Sequence, residues 1–340
     1  MSAVPPENKA RTAEGPYFDE LTVGQVFGGA PAVTLTSGHA ATHQSIVGDR
    51  LALPLDEELC RAVTGQAPLA HPALVWDVAI GQSTLATHHV KANLFYRGLV
   101  LRRAPLIGDT LRTSTEVVAL RQNRARPGRR PTGLAALRIT TTDQYDRPVL
   151  DFWRCAMLPL RDAETGTGHT ADLDAVGEEP DEDALAAAAR GWRLDLFARR
   201  VAGPRFADLA EGTVWEVGGG DIVSGAPELA RLTLNVAMVH HDRRAAGGQR
   251  LVYGGHTIGV ALAQAARALP SIVTVVGWHG CDHLGPVHEG DTLYSTVTVE
   301  RLRPLNEHGG LAHLRSLVRA VGADEPARAV LDWRYAVVLA

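Results

Sequence analysis

Two short stretches concentrate side chains able to move protons. Arg231-Leu-Thr-Leu-Asn-Val-Ala-Met-Val-His-His-Asp242 gathers Asn235, His240, His241 and Asp242, and Leu251-Val-Tyr-Gly-Gly-His-Thr257 opens a helix-patterned run. Imidazole changes charge near neutral pH, which suits general acid–base work. Gly254, Gly255 and a cap-capable Thr257 at a helix start leave backbone N–H groups facing outward, with the helix dipole behind them. Donors of that kind stabilise a developing oxyanion such as an enolate. A single histidine is more often structural and a Gly-Gly pair more often a tight turn, so the weight falls on the two stretches together.

The elements that must position these residues belong to an internal repeat. Tyr17-Phe-Asp-Glu-Leu-Thr-Val-Gly-Gln-Val-Phe27 reads against Arg205-Phe-Ala-Asp-Leu-Ala-Glu-Gly-Thr-Val-Trp215, and Leu69–Gln82 against Leu251–Gln264. Gly108-Asp-Thr-Leu111 matches Gly290-Asp-Thr-Leu293, and Val149-Leu-Asp-Phe-Trp-Arg154 matches Val330-Leu-Asp-Trp-Arg334. The separation drifts only from 188 (17 to 205) to 181 (149 to 330). Each copy has a short opening segment, a long helix of small and apolar residues, and then several strands; Leu293–Val299 alternates with period two. One helix followed by antiparallel strands predicts an α+β unit, a curved sheet wrapped round a single long helix. Residues 1–15 read as a disordered tail, 16–161 as the first copy, 162–204 as an acidic and Ala-rich linker, and 205–340 as the second copy. Residues 162–189 hold nine acids and no Lys or Arg, which predicts a solvated segment.

The copies differ where chemistry is expected. Gly254, Gly255, His256 and Thr257 face Pro72, Ala73, Leu74 and Val75, which remove a donor and supply only packing. The first copy keeps Gly48-Asp49-Arg50 but has Pro54 where a histidine would stand, and Asp49 reads as a turn or cap residue. Five arginines between Arg121 and Arg130 form a basic cluster between two strands, either a solvated hairpin tip or a contact for phosphates.

Bulk properties narrow the class. The 340 residues are 45% hydrophobic and 21% charged, with a net charge of -4 that gives no field for nucleic acid or an anionic membrane. Cys60, Cys155 and Cys281 form no CxxC pair, which favours a reducing compartment and counts against structural zinc. No apolar stretch reaches the ~20 residues of a membrane span, and the polar start is not a signal peptide, so a cytoplasmic protein is expected.

Together these residues resemble the MaoC-like hydratases of the hotdog fold, whose Gly-Asp-x-Asn-Pro-(apolar)-His signature is split here. Gly48-Asp49 stays in the first copy and His240 in the second, with Leu234-Asn235 where Gly-Asp would stand. Val-Gly-Asp-Arg with Leu-Ala-Leu-Pro, and Leu-Thr-Leu-Asn-Val-Ala-Met-Val-His with Leu-Val-Tyr-Gly-Gly-His, are similar to the double-hotdog mesaconyl-CoA hydratases (β-methylmalyl-CoA dehydratases), over residues 16–160 and 205–340.

The resemblance implies two tandem hotdogs, only the second equipped, and reversible hydration of a branched, dicarboxylic enoyl-CoA. It implies His240 as base on a water held by Asn235, with His256 or a carboxylate such as Asp242 sharing the acid–base work. Backbone N–H groups near Gly254, Gly255 and Thr257 meet the thioester carbonyl, and Tyr253, Arg231 and Asp242 are candidates to contact the substrate, Arg231 either as partner of its carboxylate or, more simply, as one side of a surface salt bridge. No metal or redox cofactor is implied, coenzyme A being part of the substrate; the two fused units allow a monomer, with a homodimer slightly favoured. Two other readings stay open: a hotdog acyl-CoA thioesterase, which wants a carboxylate where His256 stands, and a non-catalytic acyl-thioester-binding protein, suggested by the decay of the first copy.

Overall fold

A computed structural model describes residues 13–322 and 326–340. Its strands are β1 (Val26–Phe27), β2 (Val33–Thr34), β3 (Ala92–Leu101), β4 (Thr110–Gln122), β5 (Thr132–Thr142), β6 (Pro148–Pro159), β7 (Val214–Glu216), β8 (Asp221–Ile222), β9 (Ile272–His283), β10 (Thr292–Asn306), β11 (Gly309–Val321) and β12 (Arg328–Leu339). They form one sheet in the order β1-β4-β5-β6-β3-β9-β12-β11-β10-β7, with β2 on β4 and β8 on β10. The halves meet where β3 runs antiparallel to β9, pairing Tyr96 with Cys281 and Leu99 with Trp278. Tyr96 and Trp278 are equivalent positions of the repeat, as are Leu99 and Cys281, so the seam obeys an approximate two-fold axis.

Each half wraps its sheet round one helix, Pro72–Ser83 in the first and Gly254–Ala268 in the second. The first is buried along its whole length and the second from Gly255 to Ala266, as expected of helices with no polar face. His71 and Tyr253 cap them with nearly the same backbone angles, φ -61 and ψ 132 in both. That fixes the register of the two copies at the residues where they differ.

The alignment of the last strands needs a one-residue correction. Arg154 of β6 pairs with Tyr96, and Tyr335 of β12 pairs with Trp278. Arg154 is therefore equivalent to Tyr335, not to Arg334, whose side chain points outward to Glu300.

The acidic segment is more than a solvated linker. It forms helices Glu182–Ala187 and Leu194–Arg200, and it buries Leu185, Leu194 and Phe197. Its acids are answered by cations of β10: Glu182 pairs with Arg301 and Arg303, and Asp183 with Arg303 at 2.9 Å. Like charges that would keep a free chain extended are countered once the segment lies beside that strand. Residues 1–12 of the expected tail lie outside the described residues, and the Gly15 N–H at its end donates to His88 Nδ1 at 3.4 Å. No helix among the described residues is long and apolar enough to cross a membrane.

Candidate active site

A cavity of about 400 Å³ opens at the seam between the halves. The second half contributes Asn235, His240, Tyr253, Gly254, Thr257 and His283, and the first half Thr84, Thr87, Lys91, Tyr96 and Arg154. The equivalent place in the first half holds only about 20 Å³, space for a single water. Pro54, Leu69, Pro72 and Leu101 line it where His240, Leu251, Gly254 and His283 line the large cavity.

The segment carrying Asn235 and His240 is held by local turns. Leu234 has φ 59, the left-handed region, at the position where Gly48 of the first half has φ 76. A β-carbon there is unfavourable, by about 1–3 kcal/mol for a non-glycine residue. The Asn235 Oδ1 accepts the Ala237 N–H at 3.0 Å, which leaves its amide NH2 as the free end of the side chain. First-half atoms strap the segment down: Val236 N–H donates to Thr84 Oγ1 at 2.9 Å and Met238 N–H to the His88 carbonyl at 2.9 Å. A 3-10 turn, Met238–His240, then sets His240 on the cavity wall.

His240 Nδ1 lies 2.8 Å from the Leu251 carbonyl. A carbonyl oxygen can only accept, so Nδ1 carries the proton and Nε2 keeps its lone pair. Burial lowers the His240 pKa to about 4, so the ring is a neutral base at physiological pH.

The helix start divides by face. Gly254 and Thr257, three residues apart, line the cavity. His256, two residues past Gly254, faces the protein interior, fully buried with neither ring nitrogen bonded. The expected share of His256 in acid–base work is thus corrected: its ring does not line the cavity, and its N–H is returned to the Tyr253 carbonyl at 3.0 Å. Gly255 is also off the cavity wall. A Cβ at Gly255 would fall 2.0 Å from Asp77 Oδ1 and 2.6 Å from the Tyr253 ring, so its missing side chain makes room for a contact between the halves. At Gly254 a Cβ would meet His283 Nε2 at 2.5 Å.

Arg231 and Asp242 stand apart from this wall, Arg231 as the surface ion pair that was the alternative to a substrate contact. Neither lines the cavity; both lie on a shallower groove outside it, which Asn235 also borders. Arg231 is exposed and paired with Glu228 at 3.0 Å, and Asp242 is paired with Arg244 at 3.3 Å. A short helix, Ala226–Leu232, turns Arg231 to solvent, and Asp242 follows the turn that ends at His240. None of the arginines from Arg121 to Arg130 lines the cavity.

Behind the wall runs a buried polar chain that is absent from the sequence expectations. Asp49 occupies the position of Asn235 in the first half, yet it is neither a turn nor a cap residue. Its Oδ2 lies 2.6 Å from His43 Nδ1, His43 Nε2 lies 3.1 Å from Asp77 Oδ2, and the Tyr253 hydroxyl donates to Asp77 Oδ1 at 3.1 Å. Burial alone would lower the His43 pKa, but the Asp49 and Asp77 carboxylates outweigh it and raise it to about 10. The chain links the residual acid of the first half to the tyrosine at the cavity. Among the described residues, His43, Asp49 and His71 are the one group whose ligand atoms lie within 4.8 Å of one another, close enough for a metal ion. His71 Nδ1, however, already accepts the Ala73 N–H at 3.1 Å, and the other two share a hydrogen bond, the arrangement of an internal ion pair.

Comparison with known proteins agrees with this architecture. No protein-family model matches the chain. A conserved Mycobacterium tuberculosis protein with a double hotdog fold is 57% identical, with a TM-score of 0.89 over 95% of this chain and 98% of that one. A MaoC domain dehydratase structure from Chloroflexus aurantiacus is 24% identical, with a TM-score of 0.84 over 97% of this chain and 99% of that one. The chain is 26% identical to β-methylmalyl-CoA dehydratase of Chloroflexus aurantiacus, over 97% of this chain and 98% of the relative. It is 25% identical to mesaconyl-CoA hydratase of Cereibacter sphaeroides, over 83% and 82%. The α+β duplication and these likenesses lead to one assignment: the chain belongs to the double-hotdog family, and the curated proteins it resembles over most of its length are a dehydratase and a hydratase.

Proposed function

We propose that the protein adds water reversibly across the double bond of an enoyl-CoA, and that mesaconyl-CoA, giving β-methylmalyl-CoA, is its substrate. The observation carrying the reading is that His240, with Nδ1 tied to a carbonyl and Nε2 free, shares a cavity wall with Asn235 and the opening residue of a buried helix. His240 Nε2 takes the proton of a water whose oxygen accepts from the Asn235 amide. That water attacks the β-carbon, and the electron pair of the double bond moves onto the thioester carbonyl. The charge meets the N-terminal end of the helix at Gly254, with Thr257 beside it. His240, now protonated, returns its proton to the α-carbon, so no group outside the substrate and the chain is required.

The acyl group is read from the likeness to β-methylmalyl-CoA dehydratase over 97% of this chain and to mesaconyl-CoA hydratase over 83%. Incubation of the purified protein with mesaconyl-CoA, followed by mass spectrometry, tests it: gain of one water is expected, whereas release of free coenzyme A would indicate a thioesterase. His240→Ala is expected to lower kcat/KM by about 10²–10⁴-fold while leaving the fold intact. Near wild-type turnover by that variant would remove His240 from the mechanism.

A further inference from the structure

One side chain of the cavity has no role in the chemistry above. Arg154 is 3% exposed, and its Nη2 donates to the Ser83 carbonyl at 3.2 Å and to Thr87 Oγ1 at 2.8 Å. Its Nε is buried without a partner, and no carboxylate among the described residues forms an ion pair with it. A buried guanidinium without a counter-charge is costly, and proteins keep one where a ligand supplies the missing anion. The position is asymmetric between the halves. Its equivalent, Tyr335, is sealed by stacking on Trp333 at 3.6 Å and by a 3.1 Å hydrogen bond between its hydroxyl and that of Ser316. The cation thus occurs only where its strand faces the roomy cavity.

We propose that Arg154 is the receptor for a free carboxylate on the acyl group, so that the cavity selects dicarboxylic acyl thioesters over neutral ones. This rests on the reading of the cavity as an acyl-CoA site. In a fumarate-like acyl group the carbon that receives water also bears the carboxylate, so the receptor must stand beside the base. Arg154 meets that requirement: it shares the cavity with His240, and its charge is among those that lower the imidazole's pKa. The Ser83 and Thr87 bonds fix one edge of the guanidinium and leave Nε as the unsatisfied donor, the geometry for a charge-assisted bond to one carboxylate oxygen.

Binding of succinyl-CoA and butyryl-CoA by calorimetry tests this without turnover, since the two differ at one end by a carboxylate. Wild type is expected to bind succinyl-CoA at least about 10-fold more tightly. Arg154→Gln is expected to lose about 10²-fold on succinyl-CoA while changing butyryl-CoA by less than about 3-fold, and Arg154→Lys to fall between. Circular dichroism verifies folding; should the Gln variant fail to fold, the charge-keeping Lys variant and the wild-type preference decide. Equal affinity of wild type for both thioesters, or a folded variant that weakens both alike, overturns the proposal. Absence of water gain on any enoyl-CoA would sink the hydratase reading alone, because the binding comparison still reports on the carboxylate.

Discussion

At the residue scale, the proposed base is an imidazole that burial keeps neutral at physiological pH. With the His240 pKa lowered to about 4 by burial, the acidic limb of kcat/KM against pH is expected near 4, with a flat profile from about pH 5.5 to 8. A limb near 6.5 would mean that water reaches the ring more freely than the cavity suggests. Asn235→Asp supplies the family's carboxylate on the same turn, with Oδ1 still able to accept from Ala237. A negative charge near the imidazole favours its protonated form, so the acidic limb is expected to move up by about 1 pH unit or more. If the profile stays in place, Asn235 does not face His240 across the reacting water.

His240 and Asn235 were legible in the sequence because their segment carries the family's spacing. Arg154 was not: a string match set it against Arg334, and only strand register showed that the equivalent of Arg154 is Tyr335. His283 escaped for a related reason, as a lone histidine in a strand whose inward face cannot be told from a single pattern.

At the scale of elements, the two central helices are set by glycines and small residues that let the halves approach. Gly255→Ala places a Cβ against Asp77 and the Tyr253 ring, and overpacking of this kind costs about 1–3 kcal/mol. A lower Tm is expected, with a larger loss in activity than in stability, because Tyr253 borders the cavity. A Tm equal to wild type would show that the helices can part without cost. The helices were readable from their runs of small and apolar residues, and the strand alternation from its period of two. The fold of the acidic segment was not, since its first helix is paired with Arg301 and Arg303 more than a hundred positions away, and local composition says nothing of such partners. The same limit concealed the Asp49–His43–Asp77–Tyr253 chain, whose first three members meet by tertiary packing within the first half and join Tyr253 only where the halves touch.

For the whole molecule, buried histidines set the response to pH. His71 and His256 have pKa values lowered to about 4 by burial, against 6.5 for the free side chain. The unfolded chain takes up protons below pH 6.5 and the folded chain does not until about 4. Their contribution is therefore complete above 6.5 and is lost as pH falls toward 4. His43, raised by Asp49 and Asp77, has the opposite sign: its contribution is complete below 6.5 and is lost as pH rises toward 10. Thermal melts across pH are expected to give a maximum near 6.5 that declines on both sides, and a Tm unchanged between pH 7 and 4.5 would contradict the burial of His71 and His256. The continuous sheet through β3 and β9 also predicts one cooperative transition rather than two.

That shared seam has a consequence for inheritance. The proposed base and the helix start are encoded in the second half of the chain, while Arg154, Tyr96 and the Thr84–Thr87 strap are encoded in the first. Preference for one acyl group over another can therefore drift in one half while the bond-making residues in the other stay fixed. Chimaeras that exchange first halves between relatives are expected to carry substrate choice with the first half and reaction type with the second. A duplicated fold in this way becomes a two-part genetic unit, with selectivity and reactivity open to separate selection.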